Sequence, residues 1–278
     1  MSDFAPQDAA WLQRLAATLP WTADLDVDAL VFGLLENFRS TDPVFRDDLS
    51  YSLMARAVES GRLSPAAART LILTAVDDDH LFYGIGPPTS PTVFQRTFSV
   101  LVVPLVLEDR AARGALSQDD VRTVQDAVIR YTYAEQDRRG YVDGQGWAHS
   151  AAHTADALGA LGLDPAVTGL EPVLHALHHL ATLPDALTFG EDDRIAWAVC
   201  RLITAGRVTP GMVQGWLDRF QRPAKDVDTR VGTISGSNAE HVLQSLYFRL
   251  LQVDRAHPWL EPVFHAAVRF DLFHQAER

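Results

Sequence analysis

The chain of 278 residues carries 36 Asp and Glu against 24 Lys and Arg, a net charge of −12, which opposes binding to phosphate backbones, since that affinity rests on clustered cations releasing counterions. Cys200 is the single cysteine and Lys225 the single lysine, which excludes an internal disulfide, a multi-thiolate metal site and a phosphate loop ending in Gly-Lys-Ser/Thr, and leaves Schiff-base chemistry one residue to use. The start, Met1 to Pro6, has no basic segment before an apolar run, and no stretch approaches the ~20 apolar residues of a membrane span, so a cytoplasmic protein without membrane contact is expected.

Apolar residues recur at helical rather than alternating spacing, as in Leu71, Ile72, Val76 and in Val121, Val124, Val128. An N-terminal pair of helices is expected over 7–18 and 25–38. First helices of successive pairs follow over 42–60, 94–113, 147–161, 191–205 and 238–254, and second helices over 64–77, 117–135, 169–183, 210–221 and 258–274. No strand is expected. The phrase Gly-x-Leu/Val-Ser/Thr marks the turn inside each pair: Gly61-Arg62-Leu63-Ser64-Pro65, Gly114-Ala115-Leu116-Ser117 and Gly206-Arg207-Val208-Thr209-Pro210, with a weaker copy at Gly162-Leu163-Asp164-Pro165. Glycine supplies the left-handed residue that ends one helix, Ser or Thr caps the next, and proline fits its first turn. The recurrence predicts an all-α fold, an α-solenoid of helical hairpins of HEAT or armadillo type. It is read as a single domain, with 1–40 as the cap and 41–278 as about five pairs.

The longer connections, 78–92, 136–146, 184–190 and 222–236, should then share one rim, where loops held by a rigid scaffold carry function. The rim also receives the N-termini of the first helices, whose unpaired N–H groups favour a small anion. Gly146-Trp147-Ala148-His149, followed by His153 and Asp156, sets two imidazoles and a carboxylate on one helical stripe. Arg96 and Ser99, Tyr141 on the preceding loop, and Asn238 with His241 occupy positions that face the same candidate pocket. The helix dipole should keep His149 neutral, free to act as base or ligand. Glu191, or Asp192 or Asp193 beside it, is the carboxylate from a neighbouring repeat that would join His149, His153 and Asp156 around a divalent metal. Each residue has a plainer reading as a cap, an ion-pair partner or a core contact, and the zinc-protease glutamate is missing from His-x-x-x-His. His175, His178 and His179 form a second cluster on a helix whose apolar side is Leu170, Val173, Leu174 and Leu177.

Arg139-Gly140-Tyr141, Gly146-Trp147-Ala148-His149, Ala152-His153 and Ala155-Asp156 resemble the signature of a bacterial family known as domain of unknown function 2785. Val93 to Ser99 and Leu246-Tyr247-Phe248 are similar to further segments of it. The resemblance implies an all-helical protein and assigns no activity, cofactor or catalytic residue. Three readings stand. The first is a binding or scaffold protein receiving a protein, peptide or small anionic ligand. The second is a metal-dependent hydrolase or oxygenase using His149, His153 and Asp156. The third is nucleic-acid repair, which needs Arg56, Arg62, Arg130 and Arg207 on one groove and is opposed by the charge.

Overall fold

The computed structural model describes residues 8–18, 20–86, 88–221 and 230–270. Lys225, the segment 222–229, the first residues to Gln7 and the end of the last expected helix beyond 270 lie outside them. The described residues are mostly helical, and the chain divides into two compact units, Met1–Ala157 and Leu158–Arg278.

In the first unit the order is α1 Ala9–Ala17, α2 Val27–Asn37, a π-helical stretch Val44–Tyr51, α3 Ser52–Glu59, α4 Pro65–Ala75, α5 Val93–Glu108, α6 Arg110–Arg113, α7 Gln118–Ala134, strands β1 Tyr141–Val142 and β2 Gly146–Trp147, and the first half of α8, Ser150–Leu163. The second holds the rest of α8, α9 Glu171–Ala181, α10 Glu191–Thr204, α11 Pro210–Leu217, α12 Arg230–Val253, α13 Leu260–Ala267 and a 3-10 turn Val268–Phe270. Helix positions thus agree with the apolar spacing. Two details differ: Asp109 breaks the expected 94–113 helix and caps α6 through Ala112 N, and α12 begins early enough to take in Gly232 to Gly236, read from sequence as loop.

The Ser or Thr of the turn phrase acts as its chemistry requires at three places, whereas Gly114 is right-handed, with φ of −60°, and does not supply the left-handed end. Ser64, Ser117 and Thr209 each accept from the amide three residues on, and Ser117 forms a reciprocal capping box with Asp120. Gly61 and Gly206 are left-handed, with φ of 67° and 65°. In the weaker copy α8 stops at Leu163 and the chain turns at Asp164, whose side chain accepts from Ala166 N, but Gly162 itself lies inside α8, where a Cβ would come within 2.6 Å of Leu202 Cδ2. Close helix packing, not chain reversal, accounts for that glycine.

Within the first unit, α2 packs on the π-helical stretch, α3, α4 and α5, and α4 on α5 and α7. Leu30, Leu34, Phe38, Leu53, Leu71, Ile72 and Phe98 fill its interior. In the second, α12 packs along α10 and α13, and α9 on α10 and α11. Among the described residues no helix is long and apolar enough to cross a membrane. Cys200 is buried, and burial pushes its thiol up.

The histidine cluster on α9 is half-buried. His178 lies against Phe220 with ring centroids 4.7 Å apart, and burial holds its imidazole at about 4, below the ordinary 6.5. The unfolded ring takes up a proton as pH falls through its ordinary value, whereas the folded ring stays neutral until about 4. Stability therefore declines across that window. Thermal melts of the full chain from neutral pH to about pH 4.5 should show a falling transition, with a shallower fall in His178→Gln, which cannot titrate. Equal slopes for the two proteins would show that another group carries the acid sensitivity.

Candidate functional site

The first unit builds one dense polar and aromatic cluster around the segment 135–153. It starts in the π-helical stretch, a rare geometry enriched at functional places. There Asp42 caps Val44 and Phe45, and Ser50 Oγ donates 2.8 Å to Phe45 O. Arg46 is fully buried. Its Nη1 donates to Ser40 O at 2.9 Å, Nη2 to Gln145 O at 2.8 Å, and Nε lies 2.7 Å from Asp47 Oδ1. The guanidinium carbon sits 4.0 Å from the Phe94 ring centroid and 4.9 Å from that of Phe98, so one cation ties together the π-helical stretch, α5 and the loop ahead of α8. Burial pushes the Asp47 carboxyl up to about 6, against the pull of Arg46.

Gln145 belongs to a short hairpin that the apolar spacing did not foretell. Tyr141 pairs with Trp147 and Val142 with Gly146 across β1 and β2, and Gln145 N donates to Val142 O at 2.9 Å. Gly144 and Gly146 have φ of 72° and 79°. Two-residue strands are too brief for period-two alternation, and glycines allow the reversal. Val142 packs inward with Val93, Phe94 and Ala148, while Tyr141 and Trp147 are 46% and 40% exposed. Their rings meet edge to face at 4.9 Å.

His149 is not in a helix: α8 starts at Ser150, and His149 precedes it with φ of 50°. Its amide donates to Arg139 O at 3.0 Å. The ring stacks on Trp147 at 4.3 Å and meets His153 at 5.8 Å, and His153 meets Phe98 at 5.5 Å. A file of rings thus runs from exposed Tyr141 to buried Phe98. His153 Nδ1 lies 3.0 Å from Thr97 O, which makes that nitrogen the donor.

A fully buried ion pair joins α5 to the residue that ends α7. Arg96 donates through Nε and Nη2 to Glu135 at 2.6 and 2.9 Å, and through Nη1 to Tyr83 O and Thr92 Oγ1. Burial opposes the charge on Arg96, but the hydrogen bonds and charge of Glu135 outweigh it and raise its pKa. Tyr131 donates to the same carboxylate at 3.0 Å, and burial holds its phenol well above the ordinary value. Asp137, also fully buried, accepts from Thr89 N and from Arg139, while its carbonyl accepts from Ser150 Oγ at 2.6 Å. It draws the 78–92 loop and the start of α8 together.

The residues singled out from sequence therefore divide. Tyr141, Trp147, His149 and His153 come together. Arg96 is held instead in the buried pair with Glu135. Asp156 is half-buried farther along α8. Asn238 belongs to the second unit, where it accepts from Leu187 N at 3.1 Å and donates to Leu183 O and Asp185 O at 3.0 and 2.8 Å. Glu191, also there and 3% exposed, accepts from Phe189 N at 2.8 Å. Among the described residues no group of three or more His, Cys, Asp or Glu side chains is placed to hold a metal ion; His149, His153 and Asp156 belong to the first unit and Glu191 to the second. Arg56 donates to Ala16 O and Arg62 to carbonyls of Trp21 to Leu25; Arg130 pairs with Asp78, and Arg207 donates to Gly162, Asp164 and Val167 carbonyls. Each is spent within its own unit. Arg46, Asp47, Glu135 and Asp137 escaped the sequence reading. The available signal was Arg46 on the apolar stripe with Leu49 and Leu53, a position that a solvated arginine would avoid.

The family described as protein of unknown function (DUF2785) matches residues 81–248. The match spans more than half of the chain, which belongs to this family. It takes in the hairpin, His149, His153 and the Arg96–Glu135 pair, and leaves out Arg46 and Asp47. Neither a curated protein nor a solved structure matches the chain.

Proposed function

We propose that this member of the DUF2785 family is a helical-repeat recognition protein that receives a peptide or protein segment on the outer face of its hairpin. The helix pairs, with 1–40 as cap and 41–278 as about five pairs, belong to the same reading and are supported by the three capped turns. The observation that carries it is the exposure of Tyr141 and Trp147 on a hairpin fixed from behind by Arg46, with Trp147 stacked on His149. Tyr and Trp offer large, stiff, amphipathic surface at low entropic cost and dominate recognition hot spots. Left-handed backbone at His149 adds strain that a mere connector has no need of.

A library of immobilised peptides presented to the full chain tests this. Bound sequences are expected to be lost by Trp147→Ala and largely retained by Trp147→Phe, with unchanged helical circular dichroism in both. Binding indifferent to Trp147→Ala, or a reproducible hydrolytic activity abolished by His149→Ala, would overturn it.

A further inference from the structure

We infer that the partner of the hairpin is basic, with an arginine or lysine side chain laid against the Tyr141 and Trp147 rings beside Asp143. The inference rests on the hairpin being the docking face and adds the chemistry of its occupant. Cations sit over aromatic faces within about 6 Å of the centroid, and the rings here stand at 76° to one another, exposed and directly cross-strand.

This protein already uses that chemistry on itself. Arg39 lies 4.7 Å from the centroid of Tyr83 and Arg249 4.8 Å from that of Trp197, two other exposed rings, and Arg130 lies 3.8 Å from that of Phe82. Charge points the same way. Asp143 is exposed in the turn, two residues from Tyr141, and no ion pair engages it among the described residues. No Lys or Arg occurs from Gly140 to His153, and the preceding Arg139 is turned to Asp137 and Ser90 O. The net charge of −12 steers a basic segment inward. An anionic partner, which the helix N-terminus suggested from sequence, meets a closed door: Ser150, Ala151 and Ala152 are 0%, 2% and 1% exposed.

The experiment titrates the full chain, by calorimetry at near-physiological salt, with a blocked peptide of alternating glycine and arginine and with its glutamate counterpart. The arginine peptide should bind and the glutamate peptide should not. Trp147→Ala and Tyr141→Ala should each weaken binding roughly 3- to 30-fold, the range that a cation–π contact spans. Trp147→Phe should keep most of the affinity, and Asp143→Asn should weaken it less than either alanine. Equal affinity for wild type and Trp147→Ala would mean attraction to net charge alone and would overturn the inference. So would an arginine peptide that fails to bind while uncharged library sequences bind in a Trp147-dependent way, a result that leaves the docking face standing. Loss of every Trp147-dependent ligand removes both.

Discussion

Glu135→Gln is expected to destabilise the Met1–Ala157 unit by about 3–5 kcal/mol, the cost of leaving a buried ion without its partner. The carboxylate and guanidinium are both fully buried, so water cannot replace the lost charge, and the amide would set a donor against one of the Arg96 donors. Tyr131 and the amides of Gln136 and Asp137 also depend on this carboxylate. Urea denaturation followed by amide exchange in α5 and α7 measures the effect. Replacing both partners, Arg96→Met with Glu135→Leu, should recover only part of the loss, because no charge is then stranded but Tyr131 and the two amides still lack their acceptor. A loss below about 1 kcal/mol, the range of an exposed pair, would mean that water reaches the pair.

Gly146→Ala should cost about 2–4 kcal/mol, combining a left-handed alanine with overpacking. Its Cβ would approach Pro43 Cβ to 2.6 Å and Arg46 Nη2 to 3.1 Å, neither of which is the free end of a flexible chain, since Arg46 is fully buried with both terminal nitrogens hydrogen-bonded to carbonyls. The hairpin should lift from the π-helical stretch, with faster amide exchange at Gln145 and Ala148 and greater quenching of Trp147 by acrylamide. Gly144→Ala separates the two causes. Gly144 is equally left-handed, but nothing lies within 4 Å of its Cβ position, so only the backbone cost of about 1–2 kcal/mol should appear. If the two variants behave alike, the hairpin is not seated on Arg46 as described.

The hairpin and its seat show where a sequence reading stops. Amphipathic spacing located every described α-helix of more than one turn, because a helix repeats its burial every 3.6 residues and writes that period into the chain. The caps at Ser64, Ser117 and Thr209 were legible for a related reason: they act on amides two or three residues away. Tyr141, Trp147, His149 and His153 are all legible as candidates, but the single helical stripe of His149, His153 and Asp156 does not hold, since His149 lies ahead of α8. Only analogy of position points to Asn238 and Glu191, and in the structure both make local hydrogen bonds in the second unit.

Local features, then, were readable: helix positions, capped turns, a net negative charge and a chain with one thiol and one lysine. What tertiary structure alone decided is the pairing of distant groups. Arg46 meets the carbonyl of Gln145 across 99 residues, and Arg96 meets Glu135 across 39. Neither contact leaves a periodic trace, because a buried ion finds its partner through the low polarity of the interior, where an unpaired charge is intolerable, and that constraint acts on distance in space, not along the chain.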